Sequence, residues 1–158
     1  MTKSRILIVD DEKNIVRSLT EILKDEDYEV TNTGDGIKAL EIIQTDPPDL
    51  VLLDIWLPGM DGIEVLKTIK AYHPEIEVLI MSGHGTIDTA VKATKLGAQD
   101  FIEKPFSTEK ILNYVKRALE NASLKEEKDI IENKLFHSFD FIGESLEIIK
   151  VKKIYIKI

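Results

Sequence analysis

Three short, uninterrupted apolar runs constrain this chain most: Ile6-Leu7-Ile8-Val9, Leu50-Val51-Leu52-Leu53 and Val78-Leu79-Ile80-Met81. Each is too short for a good helix, and each lacks the polar alternation of a strand with one wet face. Runs of this kind are strands buried on both faces, as in a parallel sheet covered by helices. Two further segments, Glu29-Val30-Thr31-Asn32 and Asp100-Phe101-Ile102-Glu103, have a mixed polarity that suits sheet edges.

Helical stripes separate these strands. Ile15, Leu19 and Ile22 are spaced for one helix face, as are Ile37, Leu40 and Ile43, and Ile63, Leu66 and Ile69. Ile87, Val91 and Thr94 give a shorter stripe closed by Gly97. Ile111, Val115, Ala118 and Ala122 line a last helix that Ser107 or Thr108 is placed to cap. Regular β-α alternation implies an α/β fold, because parallel strands need crossovers. The expected architecture is a doubly wound, flavodoxin-like, five-stranded parallel sheet in the order 2-1-3-4-5, with five helices.

The expected domains are a first one over 1–122, a helical linker over 123–138 and a tail over 139–158. The linker is highly charged and continues the last helix. Leu124, Ile131 and Leu135 give it only a faint heptad signal. The tail is broken by Gly143 and carries Lys150, Lys152, Lys153 and Lys157 among Ile, Val and Tyr.

A formal net charge of -8 argues against DNA binding by these residues themselves and favours gathering a cation. The absence of cysteine excludes disulfides, thiolate zinc sites and cysteine nucleophiles. No segment approaches about 18 consecutive apolar residues, so no membrane span is expected, and the expected location is the cytoplasm.

In open parallel sheets, ligands bind beyond the carboxyl ends of the strands. There the sequence puts Asp10 and Asp11 after the first strand, Asp54 after the third, Ser82 after the fourth, and Lys104 with Pro105 after the fifth. Clustered carboxylates repel one another unless a cation compensates. Mg²⁺ suits an all-oxygen site and keeps several of its waters. Mg²⁺ and Lys104 could then neutralise a phosphoryl group while Asp54 attacks phosphorus. Alternative roles are plain: Asp10 or Asp11 as a cap of the first helix, Ser82 as a turn residue and Lys104 as a solvated lysine.

Four motifs resemble the receiver domains of bacterial two-component response regulators. They are Ile8-Val9-Asp10-Asp11-Glu12, Leu53 to Gly62 (LDIWLPGMDG), Met81-Ser82-Gly83-His84-Gly85 and Gly97 to Phe106 (GAQDFIEKPF). The resemblance covers residues 4 to about 120. It implies a phospho-acceptor switch rather than a turnover enzyme, with Asp54 phosphorylated by a sensor histidine kinase. Asp11, Asp54 and the backbone carbonyl of Trp56 would hold Mg²⁺, with Asp10 acting through water. Ser82 and Lys104 would bind the phosphate. Phe101 would be the switch aromatic, without the hydroxyl of the frequent Tyr. The Lys104-Pro105 bond would be cis. The readout would be a homodimer through the fourth helix, fifth strand, fifth helix and linker.

The run Gly83 to Val91 and the ending Glu103-Lys104-Pro105-Phe106 look most like the NtrC-type subgroup, in which the receiver precedes an ATPase that drives sigma-54 transcription. Phe141-Ile142-Gly143-Glu144-Ser145 resembles the entry into that ATPase, but no GxxxxGK[ST] phosphate loop follows. The chain is expected to be a truncated piece, or a gene that has lost its output, and to reach DNA only through a missing C-terminal domain. The alternative is a phosphohydrolase of the haloacid-dehalogenase type, which also uses an Asp nucleophile. That class usually has a second Asp two positions later, where this chain has Trp56. Asp61 is expected to cap the third helix, His73 to end it, and His84 to be a loop residue without chemistry.

Overall fold

The computed structural model describes residues 3–83 and 86–122. The elements run β1 (Arg5–Val9), α1 (Lys13–Asp25), β2 (Glu29–Thr33), α2 (Gly36–Thr45), β3 (Leu50–Asp54), α3 (Gly62–Tyr72), β4 (Glu77–Ser82), α4 (Ile87–Lys95) and β5 (Asp100–Glu103). Residues 108–122 form α5. The expected linker, its heptads, the tail and His84 lie outside the described residues.

All five strands are parallel, in the order β2-β1-β3-β4-β5. The three apolar runs are the inner strands β1, β3 and β4, and the two mixed segments are the edges. Side chains alternate across each strand, so each inner strand feeds two cores. Leu7, Val9, Val51, Leu53, Val78 and Ile80 pack against α2, α3 and α4 on one face. Ile6, Ile8, Leu50, Leu52, Leu79 and Met81 pack against α1 and α5 on the other.

Two helices present a different face from the one their spacing suggests. In α2 the buried residues are Gly36, Ala39 and Ile43, while Ile37 is 57% exposed. A Cβ on Gly36 would lie 2.9 Å from Val65 Cγ2, so the start of α2 presses on α3 and turns Ile37 outward. In α4 the stripe Ile87, Val91 and Thr94 faces solvent, and Ile87 is 83% exposed. Its core contact is Ala93, a residue too small to stand out in an apolar pattern. In α1 the deepest residues are Leu19 and Leu23, with Ile15 and Ile22 partly buried. The stripe of α3 is buried as expected, as are Ile111, Val115 and Ala118 of α5, while Ala122 at its end is half-buried.

Local capping agrees with the sequence. Asp61 Oδ1 accepts the Ile63 N–H at 2.9 Å, His73 closes α3, and Ser107 Oγ accepts the Lys110 N–H at 3.1 Å. Helix α1 ends in a left-handed residue, Asp27 (φ 65°), with Tyr28 N–H bonded to Leu23 O and Asp27 N–H to Lys24 O. Glycine is the usual residue there, because it has no Cβ to clash in that conformation. Asp27→Gly is therefore expected to stabilise the domain by about 0.5–1 kcal/mol. Urea unfolding checks this; an unchanged or lower midpoint contradicts it.

Candidate functional site

Strand register builds the site. Val9 pairs with Leu53, Asp54 with Met81, and Ser82 with Glu103. Asp10, Asp54, Ser82 and Lys104 therefore emerge along one rim from four adjacent strands. Asp10 is 2% exposed, Asp54 4% and Ser82 1%. The Lys104-Pro105 peptide bond that follows β5 is cis.

Lys104 Nζ reaches across this rim. It lies 2.7 Å from Asp10 Oδ2, 3.1 Å from Asp54 Oδ2 and 3.8 Å from Glu12 Oε1. The other oxygens of the aspartates take backbone N–H groups. Asp10 Oδ1 accepts from Glu12 at 2.9 Å, and Asp54 Oδ1 accepts from Trp56 at 3.2 Å. Both are held by a donor on each side, which fixes their rotamers.

The charges do not balance. Among the described residues, Lys104 is the one cation paired with the two buried carboxylates. Burial pushes the Asp54 carboxyl above its ordinary range, and Asp10 adds to the rise. Lys104 and the Trp56 N–H offset only part of this. Burial alone would lower the Lys104 ammonium, but Asp10 and Asp54 outweigh it and hold its pKa up. An uncompensated, all-oxygen carboxylate group is the donor set of a hard divalent cation, so these residues fit Mg²⁺. Carboxylate oxygens of Asp10, Glu12 and Asp54 lie within 4.8 Å of one another.

The structure thus brings together Asp10, Asp54 and Lys104, with Ser82 ending the neighbouring strand. Asp11 is exposed beside them, with Gly34 packed on its backbone, outside the close carboxylate group. Neither Asp10 nor Asp11 is the cap of α1, because Glu12 occupies that position. Glu12 is the member of the group to which the sequence assigned no role; an acid at a helix start signals capping and conceals a reach toward the rim. Trp56 is 63% exposed, and Phe101 is half-buried against the α2–α4 core. A groove of about 580 Å³ between the β3–α3 loop and α4 is lined by Trp56, Met60, Asp88 and Lys92 among others.

This fold and rim define a class. Residues 6–116 match the response regulator receiver domain, and the chain belongs to that family. It is 43% identical over 149 residues to an NtrX-like response regulator of Rickettsia bellii, covering 93% of this chain and 31% of that protein. It is 41% identical over 119 residues to sporulation initiation phosphotransferase F of Bacillus subtilis, covering 75% of this chain and 96% of that protein. The solution structure of the beryllofluoride-activated NtrC4 receiver domain dimer superposes with a TM-score of 0.72 at 41% identity, covering 75% of this chain and 98% of that one. The chain spans about a third of the length of the first curated relatives it matches. The haloacid-dehalogenase alternative finds no support, given the family match and Trp56 at the position of that class's second Asp. Among the described residues, no helix is long and apolar enough to cross a membrane.

Proposed function

We propose that this chain is a phospho-acceptor switch in which Asp54 receives a phosphoryl group from a sensor histidine kinase in the cytoplasm. The observation that carries this reading is Asp54 itself, a buried carboxylate ending the central strand and ion-paired to Lys104 from a strand two positions away. Asp11, Asp54 and the Trp56 carbonyl would hold Mg²⁺, with Asp10 through water, and the cation would neutralise phosphoryl oxygens during transfer.

The chain's own groups do the rest. An Asp54 oxygen attacks the phosphorus of the phosphohistidine in line. The P–N bond breaks, the electron pair leaves with the histidine nitrogen, and an acyl phosphate remains. Lys104 exchanges part of its contact with Asp54 for the phosphoryl oxygens. The phosphoryl group adds about -1.5 to -2 charges at neutral pH, which Ser82 and Lys104 are placed to meet. Movement of Ser82 would open space that Phe101 can fill, repacking the α4–β5–α5 face. The exposed Ile87 and Val91 on α4 give that face apolar area for a homodimer. Residues 1–122 would be the receiver and 139–158 the entry to an ATPase that controls sigma-54 transcription. DNA would be reached only through a further domain.

Incubation with Mg²⁺ and acetyl phosphate tests this. Mass spectrometry is expected to show one slowly decaying phosphoryl adduct per chain, lost in Asp54→Asn and after chelation of Mg²⁺. Rapid, continuous phosphate release would contradict a switch. Asp54→Asn should also raise stability at neutral pH by about 1 kcal/mol, since function here costs a buried charge. The sign follows from the raised Asp54 carboxyl: its ionisation penalty is absent below the unfolded carboxyl pKa and sets in as pH rises through the folded value. The gain should therefore fade in acid.

A further inference from the structure

We propose that the groove between the β3–α3 loop and α4 docks an amphipathic helix of a partner protein, one that presents bulky apolar side chains with a lysine or arginine beside them. The inference goes beyond the phospho-acceptor reading and does not depend on it.

Three observations carry it. The first is the lining. The groove holds about 580 Å³, and Leu57, Met60 and Ile63 make it apolar. The exposed Trp56 ring borders it. Tryptophan is among the residue types that contribute most to binding once a partner covers them. The second is charge. Asp61 and Asp88 line the groove against one ammonium, Lys92. Among the described residues, neither Asp88 nor Lys92 has an ion-pair partner. The excess negative charge favours a basic side chain and repels an acidic one. The face of Trp56 adds attraction for a cation. The third is the nature of the walls. The sheet edges are β2 and β5, and neither borders the groove, so an occupant cannot add a strand there. It must dock through side chains, as an amphipathic helix does.

Helix α4 keeps this surface apart from the face assigned to the homodimer. Ile87 and Val91 stand one residue before Asp88 and Lys92, and so about 100° round the helix from them. A partner in the groove and a second copy on Ile87 and Val91 therefore address different flanks of α4.

Trp56 is the chain's single tryptophan, so its emission reports on the groove. The full chain is titrated with a designed amphipathic peptide of leucine and lysine, and separately with its leucine and glutamate counterpart. The lysine peptide is expected to shift the emission to the blue and to saturate; the glutamate peptide is expected to leave it unaltered. Asp88→Lys should weaken binding about tenfold at low salt, and Lys92→Glu should strengthen it by a similar factor. Both changes oppose the dipole of α4, so damage to that helix would weaken binding in both variants; only local charge gives opposite signs. Asp25→Lys changes the net charge equally at the end of α1, on the other face of the sheet, and should leave the affinity unaltered. Equal weakening by Asp25→Lys and Asp88→Lys would assign binding to net charge and overturn the proposal. So would equal binding of the glutamate peptide, or no shift with either peptide. A blue shift that grows with chain concentration in the absence of peptide would give the groove to a second copy and also overturn it.

Discussion

Lys104→Met is expected to destabilise the domain by about 3 kcal/mol at neutral pH, because removing one partner of a buried ion pair strands the other. Here two carboxylates are stranded together, Asp10 at 2% and Asp54 at 4% exposure. Met keeps much of the aliphatic stem, so the loss reports charge rather than volume. The penalty should grow as pH rises through the raised carboxyl pKa and fade in acid, where one carboxyl takes up a proton. Two additions should recover stability. Mg²⁺ binds the folded chain and supplies the missing positive charge. Asp10→Asn in the same chain removes one of the stranded charges. Urea unfolding of the single and double variants measures all of this. A Lys104→Met midpoint equal to that of the unaltered chain would mean that the buried pair contributes nothing.

Gly62→Ala should be comparably severe for a different reason. Gly62 opens α3 against the loop that leaves β3. A Cβ there would lie 2.4 Å from Asp54 O, 2.6 Å from Ile55 Cα and 2.8 Å from Ile55 O. All three are backbone atoms, so no side-chain rotation relieves the clash. The Gly62 N–H also bonds to Ile55 O at 2.9 Å, which holds the two segments in contact. Overpacking of this kind costs about 3 kcal/mol, and the backbone that must shift is that of Asp54 itself. Labelling by acetyl phosphate should slow roughly a hundredfold, the usual consequence of misplacing a reacting atom by about 1 Å. Gly59→Ala is the control. A Cβ at Gly59 meets nothing within 4 Å and only the positive φ of 80° opposes it. It should cost about 1 kcal/mol and leave labelling unchanged. Normal labelling in Gly62→Ala would show that the loop tolerates displacement without moving Asp54.

The inner strands were legible because burial on both faces leaves no room for polar residues, and the middles of β1, β3 and β4 contain none. The polar residues stand at strand ends: Arg5, Asp54, Ser82 and Glu77, the last a buried acid opening β4, which the apolar run beginning at Val78 does not reveal. The helix faces were less legible. Periodicity counts large apolar side chains, but α4 meets the core through Ala93 and offers Ile87 and Val91 to solvent. Apolar residues on a solvent-facing side look the same in sequence as those that face the core. At the rim, Asp10, Asp54 and Lys104 were legible because strand ends in a parallel sheet must converge, however distant in the chain. Glu12 was not, because its approach to Lys104 depends on where a flexible side chain turns after leaving a helix cap.

Reductive trapping tests the central claim most directly. An acyl phosphate on aspartate is reduced by borohydride to homoserine, which marks the acceptor in the chain. After treatment with Mg²⁺ and a phosphodonor, sequencing by mass spectrometry should find homoserine at position 54 and at no other acidic residue. Homoserine at Asp10 or Asp11, or its absence from a chain that has taken up phosphate, would contradict the assignment of Asp54.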